Sequence, residues 1–235
     1  MITDKSKDKI AAMFNSIAPS YDLLNHLLSM GIDKIWRRRV VKIIKGCGAK
    51  KILDIAAGTG DLSIAMARNI ADAQIHGVDI SEGMLAVARD KAAKKRLSGK
   101  ITFTIDDALC LSYVDNSFDA LTVAFGVRNF ENLELGLSEM LRVVKPKATI
   151  VVLELSIPTN PIFRGVYNFY FTKILPLIGK ATSKSDFAYK YLPQSVTEFP
   201  SGDKFLSLMC KVGYVNCKKR ELCGAIATIY SAEKH

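Results

Sequence analysis

The sequence predicts an α/β fold whose mostly parallel sheet carries helices on both faces. Three observations predict it. First, the run Lys50-Lys51-Ile52-Leu53-Asp54-Ile55 ends in the turn Ala56-Ala57-Gly58-Thr59-Gly60, and a helical pattern follows at once. Second, strand-length apolar runs at 74–78, 101–105, 119–124 and 148–155 alternate with helical patterns at 61–70, 82–96 and 132–144. Alternation at that spacing marks βα units in a parallel sheet. Third, polar or Gly-rich sequence follows all five of these strands, where open α/β sheets gather their ligands.

The flanking elements complete the reading. Residues 8–17 look helical and are stopped by Ala18-Pro19-Ser20. Tyr21 to Met30 is amphipathic, Gly31 interrupts it, and Ile35 to Lys45 forms a basic amphipathic helix containing Trp36-Arg37-Arg38-Arg39. Pro146 is expected to end the helix of 132–144. Beyond Glu154 the segment 161–179 is dense in aromatic and aliphatic residues, which suits a buried helix or a lid over an apolar substrate. A helix at 202–212 and two strands at 214–219 and 225–232, joined at Cys223-Gly224, close the chain. We expect one domain over 1–235, with a helical lid in 1–48 and a ligand-binding core in 49–155. A substrate-side insertion at 156–200 and a closing unit at 201–235 complete it.

Composition narrows the functional classes. A chain of 235 residues suffices for one α/β domain with an accessory cap. No apolar run approaches the length of a membrane span, and the N-terminus lacks a signal-peptide core, so a cytoplasmic protein is expected. Five cysteines without CxxC spacing read as reduced thiols, and three scattered histidines argue against a metal centre. The net charge is +10, and its distribution is uneven. Residues 1–50 carry ten basic and four acidic side chains, 51–155 twelve and fourteen, and 156–235 eleven and five. Positive charge in both flanks fits a solvated surface, an anionic membrane face or a nucleic acid.

The residues at the strand ends define the ligand. Gly58 and Gly60 allow positive φ and close approach of backbone to a ligand. Asp79, closing the second strand, can accept hydrogen bonds from both hydroxyls of a ribose. A dinucleotide turn would place a third glycine where Ser63 stands. The acidic Asp54 and Asp61 suit a sulfonium and an ammonium better than a pyrophosphate. S-adenosylmethionine is therefore the expected cofactor. Its binding set takes Asp54, Ala56, Gly58 and Gly60 from the turn and Asp79 and Ile80 from the second strand end. The third strand ends at Asp106-Asp107-Ala108, where Asp107 and Ala108 can meet the adenine.

Arg128 and Asn129, flanked by apolar Val127 and Phe130, are the candidate catalytic pair, because an Arg there can stabilise a phenolate-like oxygen. Tyr21 and Asn25 share one helix face beside Asp22, which suits either capping and packing or a role in the site.

At this point the chain closely resembles the UbiE/MenG family of quinone C-methyltransferases. The resemblance runs from about residue 8 to 232. It is carried by Tyr21-Asp22-Leu23-Leu24-Asn25, Ser29-Met30-Gly31-Ile32, Trp36-Arg37, Leu53-Asp54 through Gly60-Asp61 and Phe125-Gly126-Val127-Arg128-Asn129. Val152-Leu153-Glu154, Tyr189-Lys190-Tyr191-Leu192, Ser195-Val196 and Met209-Cys210-Lys211-Val212-Gly213-Tyr214 add to it. The resemblance implies a Rossmann-like seven-stranded methyltransferase sheet with an N-terminal helical lid and an aromatic helical insertion after the fifth strand. It implies methylation of a ring carbon of a prenylated demethylmenaquinol, with a ubiquinone-pathway benzoquinol as the alternative ring. It adds Thr59 to the cofactor contacts, with Asp79, Asp107 and Ala108. It also implies a contact at Ala124, where the family often has a serine, so a hydroxyl bond is lost there. Lys147-Ala148 replaces the usual Gly-Gly after Pro146, a change expected to alter only a turn. Tyr21 joins Arg128 and Asn129 as a catalytic candidate in the lid. The expected partners are the quinol and, through the basic Trp36-Arg37-Arg38-Arg39 helix and the aromatic segment, the anionic inner face of the cell membrane, with no nucleic acid.

Overall fold

The structure, a computed structural model, describes residues 5–158, 160–169 and 186–235. Seven strands form one sheet: β1 (Lys51–Ile55), β2 (Gln74–Asp79), β3 (Ile101–Ile105), β4 (Phe118–Ala124), β5 (Val144–Leu155), β6 (Tyr214–Leu222) and β7 (Ala227–Lys234). Their order is β3-β2-β1-β4-β5-β7-β6, and β7 runs antiparallel to the other six. β1 pairs with β2 on one side and with β4 on the other, both in parallel. The direction of winding reverses between them, so a crevice opens at their carboxyl ends. The central strands are apolar nearly throughout because both faces are covered, as parallel sheets require.

The N-terminal helices are α1 (Lys7–Ile17), a 3₁₀ turn (Ala18–Ser20), α2 (Tyr21–Leu28) and α3 (Ile32–Gly46). Helices α4 (Asp61–Asn69), α5 (Glu82–Lys94) and α6 (Leu133–Val143) connect the strands. α7 (Pro161–Phe169), α8 (Asp186–Glu198) and α9 (Asp203–Val212) follow β5. On one sheet face Val40 and Ile44 of α3, Met66 of α4 and Leu85 of α5 share a core with Ile52 and Ile75. On the other, Leu137 and Met140 of α6 and Phe205 and Met209 of α9 pack against Leu53, Leu121 and Tyr230. Local chemistry sets the helix ends. The side chains of Ser81 and Asn132 accept backbone N–H groups of Met84 and Leu135 at the starts of α5 and α6. Gly213, at φ +114°, ends α9.

Three details differ from the sequence expectation. α6 stops at Val143 rather than at Pro146, because Val143 and Val144 are both buried and the chain passes directly from helix to strand. Pro146-Lys147 is not a turn between elements. It lies within β5, where the register with β4 shifts between Phe118 and Ala120 and Lys147 takes φ +64°. A bulge tolerates the missing N–H of proline. In α3, Trp36 and Arg37 are buried, so neither belongs to an outward docking face, whereas Lys34, Ile35 and Arg38 are exposed. Arg37 precedes Val40, Val41 and Ile44 at helical spacing and shares their inward stripe.

α1 lies across the carboxyl edge of the sheet. Asn15 Oδ1 accepts from Ser81 Oγ (2.7 Å) and from Gly83 N (2.8 Å), fastening α1 to the start of α5. Ile10 and Met13 pack on Tyr191 of α8. Of the aromatic segment, residues 170–179 fall outside the described residues. In its helical part Phe163 is exposed and Tyr167 buried.

Candidate active site

The Gly turn is built by strain that glycine and short side chains relieve. Gly58 (φ +55°) and Gly60 (φ +80°) are left-handed, and so is Ala56 (φ +51°). A Cβ on Gly60 would lie 2.8 Å from the Phe103 ring and 3.0 Å from Ala88, so the turn sits hard against β3 and α5. At Gly58 the same position meets nothing within 4 Å, which leaves room for a ligand. The Gly58 N–H donates to Asp79 Oδ2 (2.8 Å) and the Ser81 N–H to Asp79 Oδ1 (2.9 Å). Both bonds fix the carboxylate at the mouth of the crevice. Burial raises its pKa although Ser81, Gly58 and Ile80 donate to it.

A cleft of about 790 Å³, counting the part open to solvent, occupies the crevice. Ala56, Gly58, Asp79, Ile80, Asp107, Ala108 and Ala124 all line it. Tyr21, Phe125 and Asn129 line it from the opposite side, and Ile10 and Phe14 of α1 roof it. A nucleoside fits this wall: a fixed carboxylate on the second strand, a second acid on the third, and open space above a backbone turn. A smaller cavity of about 350 Å³ adjoins it and is lined by Asp54, Ala56, Gly58, Thr59, Ala124 and Tyr21, among others. Gly60 lines neither space and shapes the turn instead.

Three expected contacts, Asp54, Thr59 and Asp107, already have side-chain partners within the protein. Asp54, 1% exposed, accepts from Thr122 Oγ1 (2.7 Å) and Ser63 Oγ (2.5 Å). Burial lifts its pKa to about 6, the two hydroxyls opposing the rise. Asp54 therefore braces the turn from beneath instead of offering a free charge to a cation. Thr59 Oγ1 donates to Asp22 Oδ1 of α2 (2.5 Å). Lys91 Nζ reaches Asp22 (2.5 Å), Asp61 (2.6 Å) and Thr59 Oγ1 (3.3 Å), tying the lid to the turn. Asp107 Oδ2 pairs with Lys7 of α1 at 3.0 Å. The contributions of α1 and Lys91 escaped the sequence reading, since both come from helices whose nearness to the turn depends on the fold.

Arg128 and Asn129 sit in a 3₁₀ turn (Val127–Asn129) after β4. The loop presses on the Gly turn, for a Cβ on Gly126 would lie 2.4 Å from Ala56 Cβ. Asn129 faces the cleft; Arg128 lies behind its wall, 6% exposed. Glu154, at the end of β5 and fully buried, accepts from Arg128 Nη1 (2.8 Å) and from the Arg128 backbone N–H (3.2 Å). Nη1 also donates to the Phe125 carbonyl. Arg128 Nε is buried with no hydrogen-bond partner among the described residues. Burial opposes the guanidinium charge, but Glu154 and the nearby phenols Tyr21 and Tyr191 hold it. Tyr191 donates to Asn129 Oδ1 (3.0 Å). Burial pushes the pKa of Tyr167 and of Tyr191 up to about 12, and it also raises that of Tyr21. The Arg128–Glu154 ion pair, a carboxamide and three protonated phenols thus cluster beside the cleft, with Asn129 and Tyr21 lining it. Such a group can stabilise oxyanion character in a bound molecule.

Solved structures agree with the sheet. A [4+2]-cyclase, SpnF, superposes with a TM-score of 0.70 at 17% identity over 100% of this chain and 97% of its own. An S-adenosyl-L-methionine-dependent methyltransferase assigned as putative, from Methanococcus maripaludis, gives 0.66 at 18% identity over 100% and 95%. At that identity the likeness is of fold, and a cyclase among the neighbours shows that the fold alone does not fix the reaction. Sequence relatives carry more. The demethylmenaquinone methyltransferase of Bacteroides fragilis is 44% identical over 98% of this chain and 94% of its own length. The ubiquinone/menaquinone biosynthesis C-methyltransferase UbiE of Geobacter sulfurreducens is 46% identical over 99% and 91%. A profile of the ubiE/COQ5 methyltransferase family matches residues 2–234. Identity of this order over nearly the full length, with the family profile matching almost every residue, shows that the chain belongs to the ubiE/COQ5 methyltransferase family.

Proposed function

We propose that the protein transfers a methyl group from S-adenosylmethionine to a ring carbon of a prenylated demethylmenaquinol, completing a menaquinol. The observation that carries this reading is the Arg128–Asn129 cluster beside the cleft lined by Gly58, Asp79 and Asp107. The bound cofactor supplies an electrophilic methyl group beside the positive sulfur. The protein must then hold an electron-rich ring carbon near that group and stabilise the quinol as it loses its hydroxyl proton. Asn129 reaches the quinol oxygen directly, while Arg128 acts through its buried charge and its uncommitted Nε, with one water between them. Tyr21 closes the cleft from the lid and keeps bulk water from the phenolate. A benzoquinol ring is the second reading, favoured by relatives named for both ubiquinone and menaquinone biosynthesis.

A prenylated substrate is reached from a bilayer, and no helix among the described residues is long and apolar enough to cross one. Met30 and Ile35 expose their apolar side chains next to basic Lys34 and Arg38 at the start of α3, and Leu23 and Phe163 are exposed as well. Phe163 packs over Gly224, and Trp36 Nε1 contacts the neighbouring Cys223 Sγ at 3.3 Å, so α7 and the start of α3 flank one turn. This face rests peripherally on anionic lipid. At about 1 kcal/mol per basic residue the association is weak and salt-sensitive. Flotation with vesicles should rise with anionic lipid and fall with salt, and indifference to both would remove the membrane from the proposal.

The reaction is tested by incubating the purified protein with S-adenosylmethionine and a short-tailed demethylmenaquinol under reducing conditions. Mass spectrometry should show the quinol gain one methyl group. Product only from the benzoquinol would reassign the ring. No product from either, with cofactor binding intact, would overturn the reading.

A further inference from the structure

The chain leading into α1 runs along the main cleft. Lys7 pairs with Asp107 after β3 at 3.0 Å, and Ile10 packs against Tyr191 of α8, so the segment is held at both sides of the opening. Lys5, just ahead of it, lines the cleft. Its side chain is partly buried, and Nζ makes no hydrogen bond or ion pair with a described residue. The charges that reach it come from three remote elements: Glu198 at the end of α8, Arg128 of the 3₁₀ turn and Glu154 of β5. Two of these form the ion pair beside Asn129, so Lys5 stands near the oxyanion-stabilising cluster. Burial lowers the pKa of its ammonium; Arg128 adds to the lowering, and Glu198 and Glu154 oppose it.

We propose that Lys5 Nζ is the proton acceptor of the reaction, taking the hydroxyl proton of the quinol in the cleft. The proposal deepens the methyl-transfer reading above and rests on it. In the step an O–H bond breaks and an N–H bond forms. The oxygen's electron pair flows into the ring, the ring carbon takes the methyl group, and the broken C–S bond leaves its pair on sulfur. The methylated carbon then loses its own hydrogen to water, the ring regains its aromaticity, and Lys5 returns its proton to the oxygen. The net release is one proton. Two observations support the assignment. An amine held partly out of water near a fixed guanidinium is biased toward the neutral form, which alone can accept a proton. The other titratable groups of the cleft are committed elsewhere. Asp79 accepts from Gly58 and Ser81, Asp106 from Ser112, and Asp107 from Lys7. Glu131 is exposed to water, and burial keeps the Tyr21 phenol protonated. Arg128 can then stabilise the same oxygen that Lys5 deprotonates.

The test compares Lys5→Met and Lys5→Arg with the unaltered protein in the methylation assay, across a range of pH. Lys5→Met should lower kcat on the order of a hundredfold. Its affinity for S-adenosylhomocysteine by calorimetry should stay within about twofold, which certifies a folded cleft. Lys5→Arg keeps the positive charge but cannot lose its proton, so it should be as slow as Lys5→Met. In the unaltered protein kcat should rise with pH and level off once the amine is neutral. Lys5→Met, left with hydroxide as the base, should climb without that plateau. A Lys5→Arg variant that keeps most of the turnover would show that charge alone matters and would overturn the proposal. Profiles of the same shape in all three proteins would overturn it too, as would a loss of turnover matched by a loss of cofactor affinity. No product from the unaltered protein would instead overturn the methyl-transfer reading on which it rests.

Discussion

Removing the Arg128 guanidinium should do two separable things. Arg128 and Glu154 are 6% and 0% exposed and meet at 2.8 Å. Arg128→Ala leaves Glu154 buried with, among the described residues, only the backbone N–H groups of residues 128 and 155 as donors. Breaking a desolvated pair from one side costs about 3–5 kcal/mol. For a chain of this size that lowers the melting temperature by roughly 6–20 °C. Under the proposed mechanism the variant also loses the buried charge behind Asn129, about 3 kcal/mol of transition-state stabilisation, so kcat should fall on the order of a hundredfold. The single variant confounds the two, and Arg128→Met with Glu154→Gln separates them, because the neutral amide removes the unpaired charge while its oxygen can still accept from the N–H groups of residues 128 and 155. The double variant should therefore melt well above Arg128→Ala yet stay on the order of a hundredfold slower. Melting is followed by circular dichroism, turnover by product mass, and cofactor affinity by calorimetry. A double variant that regains full turnover would refute a catalytic part for Arg128. A single variant that melts normally would refute the desolvated pair.

Two more outcomes are expected. Tyr191→Phe removes the hydroxyl that holds Asn129 Oδ1, so kcat should fall about two- to tenfold, as one hydrogen bond warrants; in an Asn129→Ala background the same change should cost nothing, and additive losses would show that Tyr191 acts otherwise. Burial lifts the Asp54 carboxyl to about 6 from the 3.8 of an exposed aspartate, so between these pH values the native state binds more protons than the unfolded chain. This group makes stability fall as pH rises through that window and sets a constant cost above it, on the order of 3 kcal/mol. Denaturant midpoints of Asp54→Asn measured from pH 4 to 7 should lack this falling component, and a profile parallel to that of the unaltered protein would contradict the buried carboxyl.

Much of the fold was legible in the sequence because its signals are local. Strand runs and helical periods are set within about ten residues, so β1 to β4 and α4, α5 and α9 begin and end within a few residues of expectation. The exception at Pro146 is instructive, since a proline marks a helix stop only where the chain would otherwise continue the helix. The bulge that accommodates it is made by pairing with β4, which no local pattern announces. One missed feature did have a local signal. Arg37 stands three, four and seven residues before Val40, Val41 and Ile44, a spacing that places it on the buried stripe, apart from Arg38 and Arg39.

The sequence by itself determined the order of elements, the Gly turn and the acid at the end of the second strand, because backbone conformation and strand-end position follow from neighbouring residues. Tertiary structure alone decided the partners. Arg128 meets a carboxylate 26 residues away, Tyr191 bonds to Asn129 across 62, and Lys91 joins Asp22 to Asp61 across α5. The strand ends gather these side chains from remote segments, and burial then sets their charge. A charge taken out of water is governed by its neighbours, and the neighbours are fixed only when the sheet and the helices above it have assembled.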